Sequence, residues 1–291
     1  MTVSYSYMGF ARSQEIFPPA PAFDFLAKHD DPKQFRIAIS GSPYSTNANL
    51  MYQISSADGY EVSPSLPRLF AQGFSENRWD AISYIPEAVV KSADRRIDML
   101  NVKYFVLTPN APEFPQFAAM ERFHQVFNNG YVAIFENKNV LPRAFAVPAS
   151  GIEVLGTTNA ELERLRSPSF DPQRSVILAD LPSSQAAGVQ PAATPFISQI
   201  EMIDSQINEL SFRATTSSAA ALVLSQTWFP GWKATVDGGE VPVLRADMAL
   251  TGILIPAGLH EVRFMFQPLS FRIGAAITVL TAIMIATLII L

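Results

Sequence analysis

The stretch WFPGWKATVDGGEVPV, Trp228 to Val243, alternates as a strand does, turns, and alternates again. Trp232, Ala234 and Val236 fall on one face and Lys233, Thr235 and Asp237 on the other, the period of two that an extended chain imposes. Asp237-Gly238-Gly239 supplies residues that accept positive φ in a tight hairpin turn. Val241 and Val243 resume the apolar face around Pro242, which lacks an N–H and so suits an edge strand. Further on, Val262, Phe264 and Phe266 alternate with Glu261, Arg263 and Met265. Strands about ten residues apart with no helical pattern between them predict an antiparallel β-sandwich over 196–268.

Beyond it, only Pro268 to Arg272 separate the last strand from Ile273–Leu291, 19 residues without a charge or a proline. As a helix that run reaches about 28 Å, close to the hydrocarbon thickness of a bilayer. A buried helix of a soluble core shows a polar stripe over such a length, and Thr278, Thr281 and Thr287 do not make one. A single transmembrane helix is expected over 271–291, with the lipid bilayer as its partner and the sandwich held against the membrane surface.

Upstream, residues 1–147 mix periods and read as a small α+β domain. Pro18 to Lys28 opens on prolines and carries Ala22, Phe23, Phe25 and Leu26, which predicts a short helix. Phe35–Ile39 is a strand candidate, ending in Ser40-Gly41-Ser42-Pro43. Val89, Ala93, Ile97 and Leu100 are spaced for a helix over 88–100, and Val102, Tyr104 and Val106 alternate as a strand. Phe123–Phe127 and Tyr131–Phe135 flank Asn128-Asn129-Gly130, a hairpin signal. Residues 148–195 read as a connector: Thr158 with Glu161 has the spacing of a capping box, Val176–Leu178 of a short strand, and 182–195 is a Ser-, Ala- and Pro-rich linker. The fold class is α+β: a mixed domain, an antiparallel sandwich and one C-terminal membrane helix.

Net charge is −5 with no Lys/Arg cluster, which argues against nucleic acid as a partner. The chain has no cysteine, so disulfides, a thiol nucleophile and cysteine metal ligands are excluded. Met1 to Phe10 has neither the basic nor the apolar segment of a secretory signal. Two readings follow: a tail-anchored protein with cytoplasmic domains, or the end of a longer polytopic protein.

Recognisable catalytic motifs are absent from the sequence: no G-x-S-x-G, no G-x-G-x-x-G, no phosphate-binding P-loop and no H-E-x-x-H. His29, His124 and His260 fall in different elements without ligand spacing. No catalytic residue, metal site or cofactor is therefore expected. Asn47, Asn49, Asp58, Tyr60 and Glu61 form the densest polar stretch and could line a pocket, although Asn, Asp and Gly also gather wherever turns are made. Trp228, beside a turn with Trp232, could stack on a sugar ring or fill the sandwich core, and Trp232 shares its face with core residues.

The run from Trp228 to Gly238, with Val241-Pro242, Arg245-Ala246, Pro256-Ala257-Gly258 and His260-Glu261-Val262, resembles the end of bacterial YfhO-type membrane proteins. Ser270 to Gly274 (SFRIG) matches the start of that family's final helix. Upstream, Asn47-Ala-Asn-Leu-Met-Tyr52, Asp58-Gly59-Tyr60, Ile97 to Tyr104 (IDMLNVKY) and Leu141-Pro-Arg-Ala-Phe145 look like its extracytoplasmic region. The resemblance implies a location on the outer side of the bacterial cytoplasmic membrane. It also implies kinship with GT-C glycosyltransferases, which draw sugars from polyprenyl-phosphate donors. The catalytic acid of that class lies on an early loop between N-terminal spans and has no counterpart here. The chain would be the accessory, acceptor-contacting part, partnered by an N-terminal transmembrane core and a cell-envelope glycan. The alternative is a free-standing membrane-anchored glycan- or protein-binding module without catalysis.

Overall fold

The computed structural model describes residues 19–40, 44, 48–57, 95–181 and 195–290. The first lobe is built on a five-stranded sheet. Its strands are β1 (Arg36–Ser40), β2 (Ser55–Ser56), β3 (Val102–Leu107), β4 (Phe123–Asn128) and β5 (Ala133–Asn137), in the order β2-β1-β3-β5-β4. β1 runs parallel to β2 and β3, and β5 runs antiparallel to β3 and β4. Helix α1 (Pro21–His29) covers one face, packing Phe23 and Leu26 over Ile37, Tyr104, Val106 and Ile134. After the one-turn helix α2 (Arg96–Met99), helix α3 (Phe114–Ala119) covers the other, packing Phe117 over Phe105, Phe123 and Phe135. Both faces of β3 are thereby buried, and Val102 sits with Phe105 rather than with Tyr104 and Val106.

The hairpin between β4 and β5 forms where Asn-Gly lies, with Gly130 at φ 80°. Its loop is longer than a two-residue turn because two asparagine side chains close it. Asn128 Oδ1 accepts from Gly130 N at 2.9 Å, and Asn129 Oδ1 accepts from Val132 N at 2.8 Å. The second strand consequently begins at Ala133, later than the alternation suggests.

Residues 144–178 supply β6 (Ala144–Pro148), β7 (Ile152–Val154), helix α4 (Thr158–Arg166) and β8 (Val176–Leu178). Eight strands follow: β9 (Ser198–Ser205), β10 (Glu209–Thr216), β11 (Ala220–Thr227), β12 (Trp232–Val236), β13 (Gly239–Val241), β14 (Leu244–Ala246), β15 (Leu250–Ile255) and β16 (Gly258–Phe266). They assemble two facing sheets, β6-β11-β15-β14-β8-β7 and β13-β12-β16-β10-β9. Between the sheets lie Leu222, Leu224 and Ile253 from one and Phe212, Val262 and Phe264 from the other. The six-stranded sheet is also covered outside, where Leu162, Leu165 and Phe170 pack on Phe145, Val147 and Val223.

The helix over 158–166 has its cap one residue earlier than the sequence suggests. Thr157 Oγ1 accepts from Ala160 N at 3.2 Å. Glu161 does not close a capping box; it turns inward and receives Arg245 at 2.8 and 3.1 Å. The expected helix start at Pro18 moves to Pro21, and the phenols of Tyr52 and Tyr44 accept from Ala20 N and Ala22 N at its mouth.

Helix α5 (Leu269–Ile290) is 22 residues long, about 33 Å at about 1.5 Å per residue. Residues Leu269–Ile289 have a mean hydropathy of 2.0 and no part of them is buried against the protein. Thr278, Thr281 and Thr287 each donate to the carbonyl four residues back, so their hydroxyls need no water.

Candidate functional site at the membrane end

Of the polar stretch, Asn49 lies in a 3-10 turn over Ala48–Tyr52 and is buried. Its Nδ2 donates to Ile54 O at 2.7 Å while Ile54 N donates back to Asn49 O at 3.1 Å. The side chain holds its own loop closed. Asn47, Asp58, Tyr60 and Glu61 lie outside the described residues.

Trp228 is half-buried, and its backbone N–H donates to Ala249 O at 2.8 Å. The turn that follows it is fixed to the root of α5. Gly231, at φ 116°, presses its bare Cα on Pro268, and Gln267 N donates to Gly231 O at 2.7 Å. Trp232 and Phe229 both meet the ring of Phe266, at 5.3 and 6.4 Å between centroids. Trp232 therefore lies at the margin of the sandwich core, as its strand face requires.

Beside this turn, the β9–β10 loop and the end of β16 enclose an open cleft of about 370 Å³, lined by Ile207, Glu209, Met265, Phe266 and Gln267 among others. Ile207 is 99% exposed, Phe229 47% and Phe271 73%. Large apolar side chains are exposed elsewhere too, among them Leu50, Ile197 and Leu259, but Ile207, Phe229 and Phe271 adjoin the root of an uncovered apolar helix. This is the pattern of a surface that meets lipid. Sequence periodicity did not single out Ile207, because it stands alone in a polar turn.

The titratable groups elsewhere are structural in geometry. Asp98 lies between Arg122 and Asn137 Nδ2, the latter at 3.1 Å, and its pKa is nevertheless raised, because burial outweighs the neighbouring charge. His260 Nδ1 meets Asp237 Oδ2 at 2.7 Å at the β12–β13 turn. Among the described residues no group of three or more His, Cys, Asp or Glu could hold a metal ion.

Residues 193–278 match a family model described as bacterial membrane protein YfhO. The match covers β9 through β16 and runs into α5, so it includes the membrane end just described. The sequence resemblance carried by Trp228–Gly238 and Ser270–Gly274 stands on that stretch, whereas the motifs between Asn47 and Phe145 lie outside it. No match was found among the curated proteins or the solved structures.

Proposed function

From a membrane protein whose residues 193–278 are of the YfhO type, we propose an accessory role in a polyprenyl-phosphate-sugar-dependent glycosyltransferase. The sandwich and the first lobe stand on the extracytoplasmic face, where they contact the acceptor. The chemistry is supplied by a transmembrane core acting as partner. One observation carries the reading: the last strand ends at Phe266 and the apolar helix starts at Leu269, with Pro268 locked under Gly231. A connection that short and that tightly packed holds the sandwich at a fixed height above the lipid.

Sidedness is tested by labelling. The chain has no cysteine, so Glu121→Cys and Glu163→Cys, both at exposed positions, each give a single reporter. A membrane-impermeant maleimide should label both variants in intact spheroplasts. Labelling only after lysis places the lobes in the cytoplasm and ends this reading. Retention of a polytopic partner on detergent solubilisation then tests the accessory role.

A further inference from the structure

Arg36 on β1 and Arg143 just ahead of β6 meet where the two lobes join. Arg36 donates through Nη1 to Leu100 O at 3.1 Å and Ser225 Oγ at 3.2 Å, and through Nη2 to Gln226 Oε1 at 3.0 Å. Arg143 donates through Nη2 to the same Gln226 Oε1 at 2.9 Å. Two cations thus converge on one neutral oxygen. Low dielectric makes such a pair costly unless an anion joins it.

Elsewhere this protein provides that anion. Arg245 has Glu161, Arg122 has Asp98 and Arg164 has Glu153. Among the described residues, no Asp or Glu forms an ion pair with Arg36 or Arg143. Arg143 Nη1 is also buried without a hydrogen-bond partner. Burial pushes the Arg143 guanidinium down to about 10, and Arg36 is pushed well below its usual value by burial and by Arg143. Each residue is partly exposed as a whole while its guanidinium lies buried, so an ion held there would be largely withdrawn from water.

We propose that Arg36 and Arg143 bind a phosphate-type oxyanion at the junction of the two lobes. A tetrahedral oxyanion would take the free Nη1 donor of Arg143, neutralise the paired charges and tie β1 to the β6–β11 edge. Planar guanidinium forks match phosphate oxygens better than any neutral ligand does. Gln226 is five residues from Gly231, which touches Pro268 at the helix root. Five residues span at most about 17 Å. A lipid headgroup phosphate and a free phosphate ion are therefore both sources of the same chemistry. The proposal does not depend on a glycosyltransferase role.

The test uses the full chain. In detergent at constant ionic strength, inorganic phosphate should raise the melting temperature where chloride does not. In nanodiscs of phosphatidylcholine, added phosphatidate should do the same if the source is lipid. A response to inorganic phosphate identifies a soluble anion; a response to phosphatidate alone identifies a headgroup. Arg143→Gln and Arg36→Gln should each weaken the response by about tenfold or more, since each removes charge-assisted donors. Arg143→Lys, which keeps the charge but not the fork, should fall between. Without phosphate, Arg143→Gln should melt at or above the wild type, because a like-charge contact is gone. A merely structural arginine predicts the reverse: a lower melting point and an unchanged phosphate response. That result, or no response of the wild type to either probe, overturns the proposal.

Discussion

Gly231 and Pro268 are in direct contact: a Cβ on Gly231 would lie 2.8 Å from Pro268 Cα. The approach is backbone against backbone, so neither side yields by rotating a side chain. Gly231 also holds φ at 116°, a region that L side chains rarely adopt. Gly231→Ala should therefore destabilise the sandwich by about 1–3 kcal/mol, read as a lower melting temperature of the detergent-solubilised chain. An alanine variant that melts with the wild type would show that the turn and the helix root are not packed together.

Arg245 and Glu161 form a bidentate pair whose acid is almost completely buried, with side-chain exposures of 17% and 2%. Removing one partner strands the other. Glu161→Gln should cost about 3–5 kcal/mol, whereas the double substitution Glu161→Leu with Arg245→Met should cost far less or stabilise. Chemical denaturation of the two variants beside the wild type measures the difference. Equal losses in the single and the double variant would mean that Glu161 acts through helix α4 rather than through Arg245.

Asp247 is fully buried, accepts from Ile177 N through Oδ1 at 2.9 Å and leaves Oδ2 without a partner. Burial pushes its carboxyl up from 3.8 to about 7, with Glu153 and Glu161 adding to the rise. The folded value exceeds the unfolded one. Its contribution to stability is thus complete below pH 3.8 and is lost as pH rises through about 7. Asp247→Asn keeps the acceptor and suits the left-handed φ of 45°. Above pH 7 the variant should melt higher than the wild type, and the gap should close on acidification. Parallel pH profiles would mean that the Asp247 carboxyl titrates alike in the folded and unfolded chain, so that burial does not raise it.

These buried groups were not legible in the sequence, for a physical reason. The hairpin from Trp232 to Val241 could be read because one of its faces is wet, which preserves alternation. β11 has six successive buried residues from Ala220 to Ser225, since sheet and helix cover both its faces, and alternation vanishes. β6 and β8 are buried in the same way and β7 is only three residues long, so of these Val176–Leu178 alone reads as a strand, and nothing local tells that β7 and β8 pair into the sandwich sheet. The capping box at Thr158 looked right by spacing, but Glu161 finds a stronger partner in Arg245. Arg36 and Arg143 meet through tertiary packing from distant parts of the chain, and although Arg143 lies in the run Leu141–Phe145, no local pattern pairs it with Arg36. Apolarity alone, by contrast, marks α5, because its surroundings impose a single requirement along its whole length.

The collar around the helix root makes a last prediction. If Ile207, Phe229 and Phe271 meet lipid, the indoles of Trp228 and Trp232 lie at headgroup depth, where aromatic side chains settle. The chain has three tryptophans. With Trp79→Phe as background, bromine-labelled lipid should quench the remaining fluorescence in reconstituted vesicles. Placing a charge in the collar should lift the sandwich without releasing α5. Phe229→Asp and Ile207→Asp should therefore reduce quenching while the chain remains in the membrane fraction. Phe229→Leu keeps the apolar contact and should quench like its parent. Quenching that ignores the charge substitutions would mean that the sandwich hangs from its helix clear of the lipid, and the fixed height proposed for it would be wrong.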